Sequence, residues 1–168
     1  MLVPKDQWER KIFTDFAQAA GLPVDPGSVT SGVPPQPDIR FTSGGVEQWF
    51  ELVEITDQDL ARNHMISLRT GAITGGTFSQ RVPLERSISS KAAKTYVTNG
   101  SRLDLLAHYD KQYPAIRVAP DLIPQAIGQV AADMIASGVW SRVWVYDGWN
   151  RRVLWTYPSD ETTEHIAG

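Results

Sequence analysis

Residues 49–56 read Trp49-Phe50-Glu51-Leu52-Val53-Glu54-Ile55-Thr56, and the placement of this stretch decides the fold. Side chains alternate along a strand, which puts Phe50 and Leu52 on one face and Trp49, Val53 and Ile55 on the other. Both faces are apolar, so the strand belongs centrally in a sheet covered on both sides. Two carboxylates, Glu51 and Glu54, interrupt it. A charge in such surroundings is costly unless something pairs with it.

Just upstream, Pro37-Asp38-Ile39-Arg40-Phe41 reads as a neighbouring strand, and Thr42-Ser43-Gly44-Gly45 supplies hairpin chemistry between the two. Residues 22–37 are rich in Pro, Gly and Ser and form a loop. Before them a helix is expected over residues 4–20, with Pro4 in its first turn and Gly21 and Pro23 ending it. Trp8, Ile12, Phe16 and Ala19 make its apolar stripe. Glu9 projects near the centre of that arc, with Lys5 one turn earlier as its ordinary helix-surface partner.

Downstream, residues 57–69 suit a helix opened by Asp57, and Thr70 to Val82 reads as a mobile glycine-bearing loop. A helix from Pro83 to about Val97 follows, then an inner strand from Leu103 to Tyr109. Pro124 to Ser137 is a helix stopped by Gly138. A hairpin closes the chain, with strands Trp140 to Tyr146 and Arg151 to Tyr157 turned at Asp147-Gly148-Trp149-Asn150. This order predicts a mixed α/β fold with one main sheet. Residues 1–158 are expected to form one domain, followed by a flexible acidic tail over 159–168.

An apolar share of 42% in 168 residues is enough for a proper core. With no Cys, disulfides, thiolate zinc sites and thiol nucleophiles are excluded. No apolar run reaches the roughly 18 residues of a membrane span. Met1 to Arg10 is charged and amphipathic, unlike a signal peptide, so the expected location is cytoplasmic and no membrane is expected as a partner. The net charge of −3 hides an asymmetry. Acids dominate residues 37–60. Bases dominate 61–103, among them Arg62, Arg69, Arg81 and Arg86. This is either two solvated surfaces or an acidic, metal-binding pocket rimmed by phosphate-binding cations.

Strand alternation lets only one of Glu51 and Glu54 share a pocket with Asp38. If Glu54 faces inward, Thr56 lies just beyond it on the same side; if Glu51 does, Val53 takes that place. Phe50 and Leu52 precede Glu54 on its face, and a site there would sit at the strand's end, where open sheets place ligands. Glu54 is therefore the favoured partner of Asp38. In the helix from Pro83, residues Leu84, Ile88, Lys91 and Thr95 share one side, with Lys94 at its margin. Lys91 either snorkels outward or reaches the carboxylates.

This pattern resembles the PD-(D/E)XK nuclease-like superfamily, whose core runs helix, strands, helix, strand. Pro37-Asp38 matches the first motif element, and Glu54-Ile55-Thr56 stands at the second with Thr in place of Lys. Glu9 is similar to a first-helix glutamate found in many members, and Lys91 or Lys94 corresponds to a lysine moved to the following helix. The likeness covers residues 4–110; the C-terminal helix and hairpin of 120–157 are an addition to it. It implies a restriction-endonuclease-like α/β fold and a hydrolase acting on DNA. Asp38 and Glu54 would hold Mg²⁺ or Mn²⁺, Glu9, Lys91 and Lys94 would assist, and Arg62, Arg69, Arg81 and Arg86 would hold the nucleic-acid backbone. The alternative is a catalytically inactive module of the same fold that binds DNA or a protein.

His64, His108 and His165 have no ligand spacing, and the serines show no nucleophile-elbow pattern. Trp140, Trp144, Trp149 and Trp155 concentrate in the last hairpin. They read mainly as packing, with an exposed subset available for base stacking, a partner protein or a homodimer.

Overall fold

The computed structural model describes residues 2–56, 81–110 and 118–160, with side chains of the middle span from residue 83 onward. The predicted helix over 57–69, most of the loop Thr70–Val82, and Arg62 and Arg69 lie outside the described residues.

The first apolar stripe folds as helix α1, Lys5–Ala20, ending at Gly21 as its sequence predicts. The sheet follows: β1 is Thr30–Ser31, β2 Ile39–Ser43, β3 Val46–Glu54, β4 Arg102–Tyr109, β5 Arg142–Asp147 and β6 Arg152–Tyr157. Between β3 and β4 lies helix α2, Arg81–Ala92. Between β4 and β5 a 3-10 turn, Pro120–Leu122, leads into α3, Ile123–Ala136. The six strands lie in chain order in one open sheet. β1, β2 and β3 run antiparallel, β3, β4 and β5 parallel, and β5 and β6 antiparallel. The chain is thus a mixed α/β protein whose central strands are parallel.

The two faces are covered differently. α1 lays Phe13 and Phe16 onto Phe41, Phe50, Trp144 and Tyr146. The rings interlock, with centroids 5.0 Å apart for Phe13–Phe41, 5.1 Å for Phe13–Phe50 and 5.2 Å for Phe16–Trp144. α2 and α3 cover the opposite face with aliphatic side chains. Leu84, Ile88, Ile127 and Ala131 belong to one buried cluster with Leu105 and Val143 of the sheet. Burial on both sides is what the doubly apolar 49–55 stretch requires, and β3 has a strand on each edge.

Both ends of α2 and the presence of one strand differ from the sequence reading, and β2 and β5 start two residues later than expected, at Ile39 and Arg142. α2 begins two residues before Pro83, a position in a helix's first turn where the missing N–H costs nothing. It stops at Ala92 rather than near Val97. Beyond it the Val97 N–H donates to Pro35 O (3.1 Å), and Tyr96 packs edge-on against Trp140 (5.6 Å). Thr95 and Val97 are β-branched and give up little by leaving the helix. The Pro/Gly-rich loop also contains the edge strand β1, with Thr30 opposite Arg40 and Ser31 opposite Ile39. Gly32 makes this close pairing feasible, since a Cβ there would lie 1.9 Å from Pro37 O. At the far end, Asp160 meets Arg142 at 2.8 Å. Among the described residues no helix is long and apolar enough to cross a membrane.

Phe16 is fully buried at the centre of the aromatic face. Phe16→Ala is expected to destabilise the protein by about 3–5 kcal/mol, read as a lower denaturant midpoint with an unchanged slope.

Candidate functional site

Because β2 runs antiparallel to β3, with Ile39 opposite Phe50, the residue before β2 lands beside the end of β3. That residue is Asp38. Its N–H donates to Glu51 Oε2 (3.2 Å), and its own Oδ2 accepts the Leu52 N–H (2.9 Å). The Gly32 N–H donates to Asp38 O (2.9 Å) and pins the same residue from the edge strand. Asp38 is therefore positioned by backbone on both sides.

Glu51 shares its face of β3 with Trp49 and Val53, the face that α2 covers. Lys91 lies on the buried stripe of α2 begun by Leu84 and Ile88, so it meets that face. Its Nζ donates to Glu51 Oε1 at 2.5 Å, and the two side chains are only 18% and 5% exposed. At that burial the pair obeys the balance of a buried ion pair, in which lost hydration is offset by close contact and further hydrogen bonds. Burial pushes the Glu51 carboxyl up, the Lys91 hydrogen bond pulls it down, and the charge of Asp38 pushes it up again. The Tyr96 hydroxyl is buried beside Glu51 without a well-formed hydrogen bond among the described residues. Burial, followed by the charge of Glu51, holds it far above the ordinary tyrosine range.

α1 contributes Glu9, which Lys5 approaches to 3.2 Å. Burial raises the Glu9 carboxyl, and the negative charge of Asp38 raises it further. Glu9, Asp38, Glu54 and Lys91 all line one cavity of about 370 Å³, walled also by Trp8 and His108. It opens where the ends of β3 and β4 pass between α1 and α2.

Of the residues expected to form the site, the structure brings Asp38, Glu9, Glu54 and Lys91 to the lining of this cavity. The carboxylate in contact with both Asp38 and Lys91 is Glu51, however, and not the favoured Glu54. Glu54 lies on the opposite face of β3, with Leu52, and is in register with His108 of β4. Its neighbour is another acid, Asp110. Glu54 Oε1 is buried with no hydrogen-bond donor on it among the described residues, so a close approach to Asp110 is held only if one carboxyl keeps a proton. Burial first, and then the charge and hydrogen bond of Asp110, push Glu54 up to about 7. His108 is driven the other way, to about 4, because its imidazolium would be buried. Lys94 is exposed past the end of α2 and does not line the cavity. Arg86 is exposed on α2 and does not line the cavity; Arg81 opens that helix, and its side chain lies outside the described residues.

Among the described residues no three His, Cys, Asp or Glu side chains gather as a ready-made metal cage. The donors present, Asp38 and Glu51, are two hard oxygen ligands. A small divalent cation that keeps most of its waters asks for no more from a protein. The electrostatics agree with that fit, since the mutual repulsion of Asp38, Glu9 and Glu51 is only partly met by Lys91 and the largely exposed Lys5. Comparison with known proteins finds no matching family model, no matching curated protein and no matching solved structure. The chemistry of the site is accordingly read from the chain's own residues.

Glu54 and His108 give opposite pH signatures. The folded chain holds the Glu54 proton up to about 7, so this group's stabilising contribution is full below about 4.5, the unfolded value, and is lost as pH rises through 7. The His108 contribution is present above 6.5 and is lost as pH falls toward 4. With chelator present, Glu54→Gln is expected to raise stability at pH 8 by about 1 kcal/mol, a value discounted for screening at a half-exposed site, and to leave it little changed at pH 5. Thermal melts of both proteins across this range check the sign.

Proposed function

We propose that the cavity hydrolyses phosphodiester bonds in DNA with Mg²⁺ or Mn²⁺, and that the chain is a divergent relative of the PD-(D/E)XK nucleases. One observation carries this reading: Glu51 of β3 accepts both the N–H of Asp38, the residue before β2, and the Lys91 ammonium from α2. The order of α1, β2, β3, α2 and β4 supports a restriction-endonuclease-like core. In this arrangement Glu51-Leu52-Val53 replaces Glu54-Ile55-Thr56 as the second motif element. Val53 stands where the strand lysine would be, and Lys91 supplies the amine from the helix instead.

Asp38 and Glu51 are the residues that would hold the cation, which supplies charge to polarise a phosphoryl oxygen and acidify a bound water. Each carboxylate keeps lone pairs beyond those used by the Leu52 and Asp38 N–H groups and by Lys91. Lys91, held at Glu51, would set its amine beside the position of the phosphate, where a cation favours the charge that develops during displacement. Glu9 stands behind Asp38 and adds negative potential for the cation. Arg86, exposed on α2, is the described basic residue that would contact the nucleic-acid backbone outside the cavity.

Nicking of supercoiled plasmid is expected with Mg²⁺ or Mn²⁺ and not with chelator. Asp38→Asn and Glu51→Gln should each lower the rate by about a hundredfold or more. Lys91→Ala should cost about 10²–10³-fold, and Glu54→Gln should cut like the parent. Equal losses in Glu51→Gln and Glu54→Gln would defeat the assignment of Glu51. Salt-sensitive DNA binding without cutting under any metal would leave a non-catalytic DNA-binding module.

A further inference from the structure

We infer that a second cavity beside the first receives one unpaired nucleobase of the DNA strand. This deepens the proposed nuclease reading by specifying single-stranded, frayed or flipped DNA as the substrate class, and it rests on that reading for the identity of the ligand. The cavity, about 160 Å³, lies between α1 and the β5–β6 turn. A space of about 150 Å³ takes one benzene-sized ring, so this one accepts a single ring system. It is walled by Trp8, Ile12 and His108, which also border the larger cavity. The two therefore run together, and a nucleotide spanning them would have its base in one and its phosphate at the other.

The walls suit a base. Trp149 lies at the tip of the turn with 54% of its surface exposed, and so presents an aromatic face. The turn that carries it is tied down by hydrogen bonds. Asp147 accepts the Trp149 and Asn150 N–H groups (3.0 and 3.3 Å) and the Asn150 side chain (2.7 Å). Gly148 is tied to the end of β4 by an N–H bond to Tyr109 O (3.0 Å). Arg151 adopts φ 52°, the left-handed region that costs a non-glycine residue energy. It lines the cavity and is exposed, as a phosphate contact would be. Across the opening, Lys11 of α1 is paired with Asp15 at 2.7 Å, which supplies both a donor and an acceptor near a base edge. A base stacked inside a duplex cannot enter such a space; it must be unpaired or turned out of the helix.

The test is binding, not cutting. A short single-stranded oligonucleotide carrying 2-aminopurine is titrated with the full chain, with Ca²⁺ in place of Mg²⁺, beside the same sequence as an intact duplex. The single strand should bind more tightly, with its fluorescence quenched by stacking. Trp149→Ala should weaken that binding by about 5- to 100-fold, the range one base–aromatic stack provides, and Trp149→Phe should restore most of it. Arg151→Gly, which relieves the backbone while removing the cation, should lower the salt slope by about one. Wild-type affinity in Trp149→Ala, a preference for the duplex, or no binding at all overturns the inference. Trp149-dependent binding by a protein that never cuts removes the nuclease reading and leaves the pocket. Cutting with unchanged affinity in Trp149→Ala removes the pocket and leaves the nuclease.

Discussion

The contact between Lys91 and Glu51 is the constraint on which the site is built. Burial at that depth pushes the Glu51 carboxyl up, and the Lys91 ammonium beside it pulls it back down. The Asp38 N–H on the second Glu51 oxygen adds a further hydrogen bond to the pair. Removing one partner would strand the other, so the pair also commits α2 to its seat over β3. Asp38 adds a second negative charge that the single ammonium does not balance, and this surplus sets the cavity apart from an ordinary structural ion pair.

The two faces of the sheet divide the labour. On the α1 face, interlocking aromatic rings fix the helix that presents Glu9, Trp8 and Lys11. On the other, aliphatic packing of α2 and α3 brings in one long cation. The site forms at the one end where the sheet stops between these layers. There β2 starts as β3 finishes, and the side chains of both helices come around the strand ends toward each other.

Much of this was legible in the chain. The doubly apolar 49–55 run placed β3 inside the sheet, and period-3.6 stripes located α1 and α3. The spacing of Leu84, Ile88 and Lys91 marked a lysine aimed inward. The choice between Glu51 and Glu54 was not legible, because it depends on which helix covers which face. The aromatic face of β3 takes α1, so the lysine-bearing helix lies over Trp49 and Val53, and their neighbour of the same parity is Glu51. Strand β1 escaped notice because its two residues sit in a loop of turn-forming composition, where pairing is set by the close approach at Gly32. The Glu54–Asp110 pair was hidden for a related reason: it joins the ends of two parallel strands whose register no local pattern specifies.

Gly148 carries a consequence for the shape of the whole cleft. A side chain there would place its Cβ 2.8 Å from the Tyr109 carbonyl, so the tip of the last hairpin rests directly on the main chain of β4. The gap between α1 and that tip is thus gauged by two peptide units in contact, with no pliable side chain interposed. Repacking elsewhere in the interior would leave this gauge untouched. Any residue larger than glycine at this point would act as a shim, lifting the turn that carries Trp149 off the end of β4.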